Sequence, residues 1–377
     1  MVKGGEVGHL DRVLPTHRAN DPGSSFSNML STLRSRRRAT FALTLLAGSL
    51  AAFAVPRTTM AQGPIIIAHR GASGYRPEHT LEGYALAIAQ GTDFIEPDLV
   101  STKDGVLVAR HENEIGTTTD VAEKFPTRRT RKLIDGDSVS GWFTEDFTLA
   151  ELRTLRAKER LAFRSHAYDG QFAIPTFEEV LALADSAGRR RGRAVGVYPE
   201  LKHPTYFASI GLPLEERLLS IVKAHGLDAQ DAPIFIQCFE TGALKWLRPR
   251  TKVRLVMLLS GSDRPFDLVK AGDRRTGAEL ATPEGLREIA KFADVVGVNT
   301  RMVIRADSAA VPTTLIRDAH AAGLGVHVWT LRSETLFLGS RYGGDPLAEV
   351  REFASFGVDG MFGDFPDVMV KGLGRKY

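Results

Sequence analysis

Ile65-Ile66-Ile67-Ala68-His69-Arg70-Gly71-Ala72-Ser73-Gly74 reads as a buried strand that runs straight into polar working groups. Three successive isoleucines suit a strand covered on both faces, as in a parallel sheet; a strand with one wet face would alternate. The glycines that follow let the chain turn sharply and let its backbone approach a ligand closely. Imidazole and guanidinium side by side at a strand end suit an anion, because arginine presents a planar donor fork that matches phosphate or carboxylate. Taken alone, His69-Arg70-Gly71 also fits a turn with a hydrogen-bonded histidine, so the surrounding chain has to decide.

Downstream, Thr80 is placed to cap a helix over Leu81 to Gln90, with Tyr84, Ala85 and Ile88 at helical spacing and Gly91 as the stop. The next buried strand, Asp93 to Val100, carries Glu96 and Asp98. Two residues apart, they point to one side. Carboxylates in an apolar strand are costly unless paired or bound to a cation. A metal is the cheapest explanation, and a shared ion pair with Arg70 is the alternative. A third strand, Val106 to Ala109, follows a Lys103-Asp104-Gly105 turn too short for a parallel crossover, so a hairpin-like connection is expected. It delivers Arg110-His111-Glu112-Asn113. Residues 114–172 then lose strand periodicity, except for a short helix around Thr148 to Leu155, and are expected to form a cap inserted in the main fold.

Regular alternation resumes with a helix opening at Pro175 and a strand over Ala194 to Lys202, whose end carries Glu200 and Lys202 on one side. Helices at Leu214–His225, Thr241–Leu247, Pro283–Phe292, Thr313–Ala322 and Leu347–Phe356 alternate with strands at Ile234–Phe239, Val253–Leu259, Val295–Val298, Gly325–Thr330 and Gly357–Asp364. About eight strand–helix repeats predict a TIM-type (β/α)8 barrel over residues 62–377. Nine strand candidates compete for eight places, and the surplus lies near Lys103.

Composition fits a globular protein, with 25% charged and 43% hydrophobic residues. The net charge of +4 is a property of the leader. Of 49 Lys/Arg and 45 Asp/Glu, eight and three fall in residues 1–61, leaving 41 against 42 in the remainder. No nucleic-acid surface is expected from that balance. Arg36-Arg37-Arg38, the apolar run Ala39 to Val55 and the small-residue exit before Gln62 predict an export signal over residues 1–61, loosely of twin-arginine type, cleaved after Ala61. Residues 1–28 are expected to be an overlong extension before Met29. The mature chain is then periplasmic or secreted, without stable membrane insertion. Cys238, the single cysteine, lies in an apolar run and is expected to be a buried structural thiol.

In a barrel, chemistry gathers at the carboxyl ends of strands. His69, Arg70, Glu96, Asp98, Glu200 and Lys202 all fall there, and His111 follows the third strand. Three carboxylates suit a hard divalent cation, Ca²⁺ or Mg²⁺. Cation, Arg70 and Lys202 together would compensate a phosphate, and two histidines supply a proton acceptor and a proton donor. These parts describe metal-assisted cleavage of a phosphate ester. No Walker-type phosphate loop, serine elbow, Cys–His pair or zinc spacing is evident.

The residues His69-Arg70-Gly71, Glu96-Pro97-Asp98, His111-Glu112 and Glu200-Leu201-Lys202 resemble the signature of the glycerophosphodiester phosphodiesterases. That likeness runs from about Ile65 to Val370 and includes Trp329-Thr330 and Gly363-Asp364-Phe365-Pro366. Pro77-Glu78-His79-Thr80 and Thr118-Thr119-Asp120-Val121-Ala122 are similar to the periplasmic bacterial branch. Pro97 and Glu112 depart from the usual pattern, Pro97 with a risk of distorting its strand. The resemblance implies a barrel hydrolase that cuts glycerophosphodiesters, small deacylated phospholipids, into an alcohol and sn-glycerol 3-phosphate. It implies Glu96, Asp98 and Glu200 as metal ligands, His69 and His111 as the acid–base pair, and Arg70 and Lys202 as phosphate stabilisers. Phe239 and Trp329 resemble aromatic residues lining the glycerol and leaving-group side. Alternatives are a related barrel phospholipase acting on intact lipids, a cell-wall glycerophosphate polymer hydrolase, a non-catalytic phosphodiester-binding protein, and a Schiff-base barrel using Lys202. The phospholipase needs an exposed apolar rim, and no dense apolar loop stands out near the motifs.

Overall fold

In the computed structural model, residues 63–304 and 311–376 are described. The expected export signal over residues 1–61, its cleavage after Ala61 and the extension before Met29 lie outside them. Thirteen strands occur among the described residues: β1 Ile65–His69, β2 Phe94–Glu96, β3 Asp98–Ser101, β4 Leu107–Ala109, β5 Thr130–Ile134, β6 Asp137–Gly141, β7 Gly196–Val197, β8 Glu200–Leu201, β9 Phe235–Cys238, β10 Arg254–Leu259, β11 Val295–Asn299, β12 Gly325–Leu331 and β13 Gly360–Gly363.

The parallel pairings close on themselves as an α/β barrel. β1 pairs with β13 on one side and β2 on the other, and β9 to β13 follow in sequence order. Two of the eight staves are each split by a proline. Pro97 separates β2 from β3, and Tyr198-Pro199 separates β7 from β8. The staves stay in register across the breaks: β2 pairs β7, β3 pairs β8, and the Pro97 carbonyl accepts the Glu200 N–H at 2.9 Å. A proline removes one ladder donor but keeps its acceptor, so the interruption is local. β4 runs antiparallel to β3, outside the ring. This strand is the surplus ninth candidate, and the hairpin-like connection is as expected.

Two layers of packing hold the barrel. Ile67, Tyr198, Phe235, Val256, Leu258 and Phe362 fill its interior, with Tyr198 stacked on Phe235. Ile66, Ala68, Ile95, Leu99 and Val298 face outward into the larger core beneath the helices. The first helix, Leu81–Ala89, is capped by Thr80, whose side chain accepts from Gly83 N. It buries Gly83, Tyr84, Ala87 and Ile88, while Ala85 is exposed. A longer helix, Phe177–Arg191, opens on a Thr176/Glu179 capping box and ends at Gly192 with φ 64°. The remaining expected helices form at Glu215–Ala224, Thr241–Leu247, Pro283–Ile289, Leu315–Ala321 and Pro346–Ser355.

Residues 114–172 are more regular than expected. β5 and β6 form an antiparallel ribbon around Asp135-Gly136, both at positive φ (49° and 94°), as a tight hairpin turn demands. The expected helix near Thr148 is shorter, Leu149–Leu152. Cys238 is fully buried.

Candidate active site

Parity along the staves decides which side chains meet. Ile67 packs inside the barrel, so His69, two residues on, points inward as well. The same rule brings in Glu96 after Phe94, Glu200 after Tyr198 and Gln237 after Phe235. Register sets His69 level with Glu96, and Asp98 level with Glu200, which is itself level with Gln237. Glu96, Asp98 and Glu200 are buried, and each offers an oxygen within 4.8 Å of the others. Over them lies a cavity of about 120 Å³ lined by His69, Arg70, Glu96, His111, Glu200, Lys202, Phe239 and Trp329, together with Gln237 and Arg332. Of the residues given a catalytic, substrate or metal role from sequence, Asp98 lies outside the lining.

The acidic cluster is short of positive charge. Arg70 Nε lies 3.3 Å from Asp98, the Arg70 N–H donates to Glu96 at 2.8 Å, and Lys202 Nζ donates to Glu200 at 2.9 Å. So the ion pair with Arg70 exists, but three carboxylates face two cations. Burial opposes the Asp98 carboxylate, yet Lys202, His79 and Arg70 outweigh it and hold its pKa well below the usual range. Burial and repulsion from Asp98 and Glu200 push Glu96 well above its ordinary value. Burial, against the pull of Lys202, takes Glu200 up to about 7. Gln237 donates Nε2 to Glu96 Oε1 at 3.0 Å, while its own Oε1 is buried with no hydrogen-bond partner among the described residues. An all-oxygen donor set with uncompensated negative charge fits a hard divalent cation.

Both histidines carry a carboxylate on Nδ1. His69 Nδ1 lies 2.7 Å from Asp364 Oδ1, and His111 Nδ1 lies 3.0 Å from Glu112 Oε1. This arrangement leaves each Nε2 available for proton transfer, the logic of a carboxylate-oriented imidazole. Burial and then Arg70 lower His69 to about 4; burial, Arg70 and Lys202 lower His111 to about 3. Phe239 and Trp329 meet edge to face at 5.6 Å. Glu200, Lys202 and Phe239 are shared with an adjoining chamber of about 510 Å³ that reaches Asp135, His203, Glu240 and Phe266.

Several residues of this site carry no role in the sequence reading. Asp364 lies 295 positions from His69. His79 holds Asp98 Oδ2 at 2.9 Å, and Glu78 holds Arg70 at 3.1 Å. Gln237 had a readable signal: a polar residue at an inward position of an apolar strand, as with Glu96. Arg164 and Arg332 had none. Phe163, Leu336 and Phe337 are exposed, Phe163 against Phe337 at 5.7 Å. Arg332, which lines the cavity, lies 4.6 Å from the Phe337 ring.

Comparison with known proteins points to one family. The Glycerophosphoryl diester phosphodiesterase family profile matches residues 69–368. The chain belongs to this family. A glycerophosphodiester phosphodiesterase of Arabidopsis thaliana is 34% identical over 80% of this chain and 84% of its own length. The glycerophosphodiester phosphodiesterase of Haemophilus influenzae is 31% identical over 89% and 98%. In fold, the chain is similar to a family member from Silicibacter pomeroyi (TM-score 0.60, 22% identity, 84% of this chain and 96% of that one). It is also similar to an Oleispira antarctica phosphodiesterase solved with its product sn-glycerol-3-phosphate (TM-score 0.54, 22% identity, 83% and 97%). The chain is thus a phosphodiesterase built on an α/β barrel.

Proposed function

We propose that this enzyme hydrolyses glycerophosphodiesters to an alcohol and sn-glycerol 3-phosphate by histidine acid–base catalysis, with one Ca²⁺ or Mg²⁺ held by Glu96, Asp98 and Glu200. The observation that carries the proposal is the pair of histidines, each tied at Nδ1 to a carboxylate, set around an oxygen-only acidic cluster with Arg70 and Lys202 beside it. When bound, the cation supplies charge neutralisation at the phosphoryl group. Arg70 and Lys202 stabilise the negative charge that builds on the phosphoryl oxygens. One histidine accepts the nucleophile's proton at Nε2, and the other protonates the departing alkoxide. Both are neutral at pH 7 in the free site; a bound phosphodiester anion raises their pKa values and so favours the protonated partner. The product seen in the Oleispira antarctica relative supports this direction of cleavage.

Replacing His69 or His111 by alanine is expected to lower kcat by about 10²–10⁴-fold, and Glu96→Ala to abolish cation-dependent turnover. Wild-type activity in any of them contradicts the role given to that residue. A second reading, cleavage of acylated lipids, draws on exposed Phe163, Leu336 and Phe337 beside Arg332. Faster turnover of the acylated than of the deacylated substrate would favour it. No helix among the described residues is long and apolar enough to cross a membrane. We also propose that the protein is exported, which N-terminal sequencing of the secreted fraction tests.

A further inference from the structure

Each histidine's carboxylate has a second hold, and both holds reach into residues 114–172. On the His69 side, Asp364 Oδ2 accepts from Arg164 Nη2 at 2.5 Å and from Arg332 Nε at 2.9 Å. Arg164 also donates to Ser73 O at 3.0 Å and Glu334 at 2.7 Å, and its side chain is nearly buried. On the His111 side, Glu112 Oε2 lies 2.8 Å from His203 Nε2, and His203 Nδ1 lies 2.6 Å from Asp135 Oδ2 at the ribbon turn.

His203 faces a carboxylate from each ring nitrogen. A neutral imidazole has one donor and one acceptor, so one nitrogen lone pair would oppose a carboxylate oxygen; two donors require the imidazolium. Its pKa is raised to about 9, burial being outweighed by the bonds to Asp135 and Glu112. Glu112 itself is 46% exposed at the side chain, so without a second anchor it would be free to swing. His203 also has φ 50°, a left-handed conformation unfavourable for a residue with a Cβ.

We propose that segment 114–172 positions both acid–base histidines, through Arg164 on Asp364 and through Asp135 and His203 on Glu112, beyond any covering of the site. His203 and Arg164 are positioning residues: each fixes the carboxylate that fixes a histidine's tautomer and ring plane. The inference rests on the reading that His69 and His111 transfer protons. It goes further in making the ribbon turn, on the far side of Glu112, part of the proton-transfer geometry.

The test is steady-state kinetics of full-length His203→Gln, Asp135→Asn, Arg164→Met and Glu112→Gln, with His203→Gln also built on Glu112→Gln. His203→Gln is expected to lower kcat by about 10- to 100-fold, part of the 10²–10⁴ that acid–base transfer contributes, with KM within about twofold. On the Glu112→Gln background it should add nothing, because the pathway is already cut. Asp135→Asn, at the ribbon turn and least able to disturb folding, should show a smaller loss of the same kind. Arg164→Met should reduce kcat through His69, and its effect should multiply with that of His203→Gln. Unchanged kcat in folded His203→Gln and Asp135→Asn, or full multiplication of the His203 and Glu112 effects, overturns the inference. An inactive wild type overturns the functional reading and this inference together; an active wild type with indifferent variants overturns this inference alone.

Discussion

His79 is completely buried, with Nε2 on the Asp98 carboxylate at 2.9 Å and Nδ1 against the Tyr84 hydroxyl at 2.8 Å. It has no place in the cavity lining, yet it fixes one oxygen of the acidic cluster. Outer partners of this kind orient a ligand and tune its basicity. His79→Gln is therefore expected to weaken Mg²⁺ or Ca²⁺ binding by about 10- to 100-fold, read by calorimetric titration. An unchanged affinity would remove His79 from the site. The same residue shows what a sequence reveals at this scale. Glu96, Asp98 and Glu200 were legible because charge in an apolar strand is expensive and needs a reason. His79, Asp364 and Arg164 sit on loops or element ends, where polarity is ordinary. Their roles depend on partners brought close by the closed barrel, 295 positions apart for His69 and Asp364.

Among the elements, the strands at Ile65–His69, Arg254–Leu259 and Val295–Asn299 were plain from their apolar runs, since a barrel stave is covered on both faces. The β5–β6 ribbon was harder to read because it projects from the core. Thr130 to Leu133 are exposed or half-exposed, so no alternation records the strand. The Asp135-Gly136 turn was the one local signal. Pro97 breaks its stave as its chemistry requires, but Glu96 and Asp98 still converge because the flanking pairs hold register. At the 15-residue helix Phe177–Arg191, Thr176→Ala removes the capping box. It is expected to cost about 1 kcal/mol in urea denaturation, leaving kcat unchanged. A wild-type midpoint would show that the cap contributes nothing.

For the molecule as a whole, two histidines give stability opposite pH dependences. His327, buried beneath the site against Tyr198 Oη at 2.7 Å, is lowered by burial from 6.5 to about 4. Between those values the unfolded chain binds more protons, so stability falls as pH drops from about 6.5 toward 4. His203, raised to about 9, binds more protons when folded; its contribution is full below 6.5 and is lost as pH rises through 9. Melting temperature is thus expected to fall between pH 7 and 9.5 in the wild type and to fall less in His203→Gln. An identical alkaline slope in the two would place His203 outside this balance. The barrel itself brings His69, Glu96, Glu200, Gln237 and Trp329, each from a different stave, to one cavity, where we place the phosphodiesterase activity. That central claim is tested most directly by incubating purified protein with glycerophosphocholine and following glycerol 3-phosphate with and without EDTA. Release of glycerol 3-phosphate with Mg²⁺ or Ca²⁺, lost with chelator and restored by added cation, is the expected result. Turnover indifferent to chelation, or release of glycerol and phosphocholine instead, would contradict it.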